Sequence, residues 1–171
     1  MKTNRLPASQ YDPYFKQYIN LVEEYPLDKA LASGMLTTTN FYESLSEENW
    51  AHRYAEGKWT PKETLLHVID TERIFCSRAL QIARSENTVL SGFDENLFAE
   101  NSNANERTAE DLINEYISVR TATISLFKSF SEKTMNNTGV ANEKPLSVQA
   151  AGHIVCGHEL HHINIIKDRY L

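Results

Sequence analysis

An all-α fold, a bundle of four long helices, is what this sequence predicts, and three observations predict it. Apolar residues recur at helical spacing over four stretches of about 20 residues, the length that matches across a bundle. Three of those stretches open on a Ser or Thr able to cap a helix, at Thr60, Thr108 and Ser147. No stretch alternates apolar and polar residues convincingly enough to read as a strand. At 171 residues the chain suits one domain, 1–171, with a real core.

Residues 1–26 carry Pro7, Pro13 and Pro26 together with Tyr11, Tyr14, Phe15, Tyr18 and Tyr25. Prolines so spaced limit regular structure to a short piece within Tyr14 to Val22, while the aromatic rings need something to pack on. The segment is therefore expected to be an arm laid over the bundle rather than a mobile tail. From Leu27 to Leu45 the apolar positions Leu27, Leu31, Met35, Leu36, Phe41, Tyr42 and Leu45 predict the first long helix, despite Gly34. A connection with one short helical turn then leads to Trp59.

The second long helix has a clear start: Thr60 caps, Pro61 suits the first helical position, and Glu63 stands three residues after the cap. It is expected to run to about Arg84, with Leu65, Val68, Ile69, Phe75, Cys76, Ala79, Ile82 and Ala83 as its main apolar face. Ser85 to Arg107 is a long polar connection with a short helix expected near Asp94 to Glu100, and connections of that length are often functional. The third helix starts after Thr108 and ends near Ser131. Met135 to Pro145 reads as a loop, and Ser147 caps the fourth helix, which meets no proline before the C-terminus.

The formal net charge of −6 and the absence of any basic run argue against a nucleic-acid partner, whose phosphates are bound by clustered Lys and Arg. Two cysteines, Cys76 and Cys156, fall inside helical patterns and suggest no disulfide framework, as expected of a cytoplasmic protein. The run Met1 to Pro7 lacks the apolar core of a signal peptide, and no apolar run approaches the roughly 18 residues of a membrane helix.

Chemistry concentrates in the histidines. Two of them, His158 and His162, stand four residues apart, so on a helix both imidazoles project from one face and can reach a single metal ion. They fall in the middle of the stripe formed by Val148, Ala151, Ile154, Val155, Ile165 and Ile166, with His161 at its edge and His153 pointing largely away. Buried imidazoles must be hydrogen-bonded, deprotonated or metal-bound. Two satisfied core histidines are therefore the competing reading. Catalytic sites of this kind commonly take three protein ligands, and His67 is the candidate third, because its helix could pack against the last one. His67 lies at the border of the second helix's apolar face, near Thr64, Thr71, Ile74 and Arg78 on one side and Glu63 and Asp70 on the other. Polar residues at such an edge line either a cavity or a solvated seam. Asp70 could orient a ligand or a water. His52 reads as a surface residue.

His158-Glu159-Leu160-His161-His162 also completes His-Glu-x-x-His, in which the glutamate serves as general base beside two zinc-bound histidines. Only Ile163 to Leu171 follow, with no third ligand among them, so a peptidase is not expected.

Gly57-Lys58-Trp59-Thr60-Pro61-Lys62-Glu63 leading to His67, then Asp70-Thr71-Glu72-Arg73, and finally Gly157-His158-Glu159-Leu160-His161-His162 resemble the DinB-like superfamily, especially its YfiT-like branch of metal-dependent enzymes. The likeness extends over most of the chain, including the aromatic arm, Gly92-Phe93-Asp94-Glu95 and the Arg169-Tyr170-Leu171 ending. Each motif is short, but their joint order and spacing are specific. The resemblance implies a four-helix bundle whose cavity holds a divalent metal on His67, His158 and His162. It implies a homodimer as well, and members of known activity include thiol-dependent transferases and isomerases using bacillithiol or mycothiol. The resulting expectation is an enzyme with a zinc or nickel ion that activates a low-molecular-weight thiol or water toward a small-molecule substrate. A non-catalytic metal- or small-ligand-binding bundle is the alternative. No role is assigned to Glu159 or His161.

Overall fold

The computed structural model describes residues 6–85 and 88–171. The first five residues of the arm, on which part of the signal-peptide argument rests, and residues 86–87 of the long connection lie outside the described residues. Local chemistry fixes the helix starts. The arm contributes α1 (Lys16–Ile19), preceded by a 3-10 turn at Pro13–Phe15 that the Asp12 side chain caps. The first long helix is α2 (Leu27–Glu43), and α3 (Glu47–Ala51) is held by a reciprocal cap between Ser46 and Asn49. Thr60 and Glu63 form the same reciprocal cap on α4 (Pro61–Arg84), and Asp94 caps α5 (Glu95–Glu100). Thr108 caps α6 (Ala109–Lys128), Ser131 caps the single turn α7 (Glu132–Met135), and Ser147 caps α8 (Val148–Arg169).

Beside the helices stands a small sheet that corrects the expectation of no strands. It comprises β1 (Val89–Leu90), β2 (Thr138–Ala141) and β3 (Lys144–Ser147), with β1 parallel to β2 and β2 antiparallel to β3. Much of the run read as a loop is thus a hairpin. Its turn residues, Asn142 and Glu143, both take positive φ, at 50° and 62°. Such a turn usually announces itself by Asn-Gly, and here Glu stands where Gly would, so the pattern carries little signal.

Within the bundle α2 packs on α6 and α8, and α4 packs on α6 and α8, so α2 lies across from α4 and α6 across from α8. Two apolar clusters fill the interior. One gathers Ala30 and Leu31 of α2, Phe75, Ala79 and Ile82 of α4, Phe127 of α6 and Val148 to Cys156 of α8; the other gathers Tyr42, Leu65, Ile69, Leu112, Tyr116, Ile163 and Ile166. The first cluster takes the N-terminal halves of α2 and α8 but the C-terminal halves of α4 and α6. Hence α2 and α8 run one way, and α4 and α6 run the other.

Because α4 and α6 are parallel, the chain leaving Arg84 must return the length of a 24-residue helix, about 36 Å, before α6 can begin. That return is the polar connection 85–108, and it ends where it should: Thr60 Oγ1 donates to Asn105 Oδ1 at 2.7 Å, and Lys62 Nζ donates to Arg107 O at 2.6 Å. Lying alongside the bundle, the connection supplies one wall of a cavity.

Between the clusters lies a buried ion network. Arg120 of α6, fully buried, donates through Nε and Nη2 to Glu72 of α4, both bonds 2.8 Å, and through Nη1 and Nη2 to Glu159 of α8 at 2.9 and 2.8 Å. Tyr116 Oη and Thr38 Oγ1 of α2 also donate to Glu159 Oε2, at 2.6 and 3.1 Å. All four long helices meet there. Burial alone would depress the guanidinium pKa, but the Glu159 and Glu72 carboxylates hold it well above the ordinary arginine value.

The last helix is buried more completely than one apolar stripe requires. Every residue from Ala150 to Glu159 is buried, because the arm covers the side that α2 and α4 leave open. His153, expected to point away, is buried with Nδ1 2.9 Å from Gln149 O. Cys156 and Ile163 are likewise interior, packed within the chain itself. Gly157 makes the arm's approach possible: a Cβ there would stand 2.0 Å from the Tyr18 carbonyl oxygen.

Candidate metal centre

The antiparallel packing of α4 on α8 brings His67 to the pair His158 and His162. His67 Nε2 lies 3.1 Å from His158 Nε2, and His162 Nε2 lies 3.0 Å from the same atom. A neutral imidazole nitrogen presents one in-plane lone pair or one N–H, so His158 Nε2 cannot make two good hydrogen bonds at once. Three nitrogens around a common point suit an ion instead: with metal–nitrogen bonds of about 2.0–2.1 Å, ligands 90° to 109° apart stand about 2.8–3.4 Å from one another. Among the described residues this trio is the one group of three His, Cys, Asp or Glu side chains whose ligand atoms come close enough to hold an ion, all within 4.8 Å.

Electrostatics favour the ligand form. Burial lowers the His67 pKa to about 4, and burial with the neighbouring His67 and His161 lowers that of His162 to about 3. His158 is held well below the ordinary histidine value by burial and by the other histidines. All three imidazoles are thus neutral at pH 7, the state in which histidine binds metals.

The trio sits in the wall of a cavity of about 460 Å³ bounded by α4, α8, the arm, the returning connection and the hairpin. The Trp59 ring lies 4.8 Å from His67 between centroids, and Tyr18 stands edge-on to His158 at 5.3 Å and to His161 at 5.1 Å. One turn beyond His67, Thr71 lines the same cavity, 4% exposed, and among the described residues its Oγ1 has no hydrogen-bond partner. A buried hydroxyl without a partner is uncommon, and at this position it faces ligand space.

The polar edge of α4 is a cavity edge rather than a solvated seam, since Thr71 and Arg78 are both buried there. Asp70 accepts a hydrogen bond from Arg73 at 3.3 Å, and among the described residues no histidine donates to it. Glu159 occupies the ion network, turned from the three imidazoles, and is not placed as a general base beside an ion. His161 stays outside the trio, and His52 is exposed at the end of α3. Tyr18 escaped the sequence reading as a site residue, carrying no signal beyond being aromatic, whereas Thr71 stands among the polar residues beside His67 that the sequence set at a cavity or a seam.

Residues 37–166 match the sequence model of the DinB superfamily. The chain belongs to that superfamily. Among solved structures it is similar to YfiT from Bacillus subtilis, described as a probable metal-dependent hydrolase with an unusual four-helix bundle topology, at 13% identity and a TM-score of 0.75 over 96% of this chain and 90% of that one. No curated protein matches it. The fold of this superfamily member is therefore the YfiT-like bundle, and the parallel pair α4 and α6 with its long return is where its path departs from a simple up-and-down bundle. Among the described residues no helix is long and apolar enough to cross a membrane.

Proposed function

We propose that this protein is a metal-dependent enzyme in which His67, His158 and His162 hold one divalent ion, zinc or nickel, and activate a nucleophile, water or a low-molecular-weight thiol, toward a small-molecule substrate. The observation that carries the reading is the convergence of three neutral imidazoles, with Nε2 separations of 3.0 and 3.1 Å about His158, on the wall of a cavity large enough for a small molecule. Held there, a divalent ion would supply Lewis acidity, bringing the pKa of water to about 7 or favouring thiolate over thiol.

The chain's own groups do the rest. The histidines contribute no negative charge, so the positive charge of the site is left for an anionic nucleophile. Thr71 Oγ1 is free to hydrogen-bond a small molecule beside His67, while the Tyr18 and Trp59 rings narrow the approach of bulk water. A thiol nucleophile would come from outside the chain: burial pushes the Cys76 pKa up to about 11 and that of Cys156 higher still. The YfiT description supports water, and the resemblance to thiol-dependent members supports the thiol.

Elemental analysis of protein purified without an affinity tag tests the site first. One ion per chain is expected, lost in His158→Ala; a wild-type chain that takes up no zinc or nickel on loading would overturn the reading. Loaded protein is then assayed for hydrolysis without thiol and for conjugation of electrophiles to an added thiol. Turnover abolished by chelation while the helical fold persists supports an enzyme. Metal loss that only lowers the melting temperature, with no turnover in either assay, supports a non-catalytic binding bundle. The homodimer is proposed on the resemblance alone, and light scattering decides it.

A further inference from the structure

His67, Thr71, Phe75 and Arg78 follow one another at spacings of four, four and three residues, so they form one strip along α4, and all four line the cavity. His162, His158 and Ile154 form the facing strip on the antiparallel α8. The cavity therefore has two poles. At one stand the three imidazoles, and at the other stands Arg78.

Arg78 is 7% exposed, and among the described residues no carboxylate pairs with it. Its Nη2 donates to Ser91 O at 2.8 Å, and the guanidinium lies 5.1 Å from the Phe75 ring centre and 5.7 Å from that of Phe93. One of five N–H donors is thereby used. The other charges of the wall leave this cation uncompensated: Lys144 pairs with Asp12 at 3.4 Å and is mostly exposed, and Glu95 is exposed on α5. A buried cation without a counter-ion, joined by the partnerless hydroxyl of Thr71 on the same strip, describes a seat whose missing partner is anionic.

We propose that the substrate is an anionic small molecule with an apolar body, its carboxylate seated on Arg78, its body against Phe15 and Phe75, and its reacting centre at the three-histidine pole beside Thr71. The Cα atoms of His67 and Arg78 are about 16.5 Å apart along the helix, and the longer Arg78 side chain leans further toward the helix N-terminus than that of His67, so the span between the poles is shorter than that. The reacting pole rests on the metal-dependent function proposed for the trio. The anion seat does not, because Arg78 is placed by Ser91, Phe75 and Phe93.

The test compares 4-phenylbutyrate with the uncharged 4-phenylbutyramide, which has nearly the same shape, in NMR titrations of zinc-loaded and of chelator-treated protein. The acid is expected to bind at least about 10-fold more tightly than the amide in both forms, the advantage of a hydrogen bond to a charged group. Arg78→Gln, which keeps a donor for Ser91 O, is expected to weaken the acid by about 10-fold or more and to leave the amide unchanged. Equal affinity for acid and amide, or acid binding indifferent to Arg78→Gln, overturns the proposal. Acid binding that vanishes with zinc but ignores Arg78→Gln puts the carboxylate on the ion, and then the metal site stands while the anion seat falls. Binding of the acid through Arg78 in a protein that takes up no metal does the reverse, keeping the anion seat and removing the metal site. If Arg78→Gln melts early, the acid and amide comparison on the unaltered chain decides.

Discussion

Burial keeps His67, His158 and His162 neutral, and that has a consequence for metal-free protein. Their folded pKa values lie below the usual 6.5, at about 4 for His67 and about 3 for His162. As pH falls below 6.5 the unfolded chain takes up protons that the folded chain refuses, so folding stability is present above pH 6.5 and is lost as pH falls toward 4 and 3. Thermal melts of chelator-treated protein are expected to drop across that window, and His67→Gln should flatten the drop; parallel curves for the two would refute this. At Arg120 the balance is different, because one guanidinium serves two carboxylates. Arg120→Met leaves Glu72 and Glu159 buried without their cation and should cost about 3–5 kcal/mol in denaturant melts. Glu159→Gln keeps the side chain's shape while giving up one acceptor oxygen of the network, and it should leave metal content unchanged. A loss of bound metal there would return Glu159 to the candidate site. The sequence held a clue to this network: Arg120 follows Leu112, Ile113 and Tyr116 on the buried face of α6, a charge in an apolar stripe.

Among the elements, α2 carries a glycine that helix propensity alone would remove. Gly34→Ala gains about 1 kcal/mol in an exposed helix. Here the added Cβ would stand 2.2 Å from Glu159 Oε1 and 3.0 Å from Arg120 Nη1, and overpacking of that kind costs about 1–3 kcal/mol or more. Net destabilisation in a melt is the expected result, and a more stable variant would show that the network yields readily. The residue that weakens the first helix as a sequence pattern is thus the one that admits the ion network between helices. The elements legible in advance were those with local signals, as at Thr60 and Glu63, whose reciprocal cap spans three residues. The sheet was illegible, because its strands are short, β1 joins β2 from far away in the chain, and the hairpin turn lacks glycine.

Across the whole molecule the arm completes both the core and the cavity. Tyr18, Ile19 and Val22 join the apolar cluster that includes Cys156, and Tyr18 also walls the histidine trio. Removing residues 1–26 should therefore expose Cys156, which is 1% exposed in the full chain. A thiol reagent is expected to leave Cys156 untouched in the native chain and to modify it in the truncated one. Unchanged protection after truncation would mean that the arm is dispensable to the core.

By itself the sequence determined the four long helices, the caps of three of them, the polar edge of α4 and the placing of His158 and His162 on one helix face, because each depends on residues within a turn or two of one another. Tertiary structure decided the rest: which side of the last helix is interior, where Glu159 points, that α4 and α6 run parallel, and that His67 and Arg78 stand at opposite poles of one cavity. These are relations between residues far apart in the chain, fixed by how helices pack rather than by any local pattern. The motif resemblance named His67 in advance, but its approach to His158 is a product of the antiparallel packing of α4 against α8.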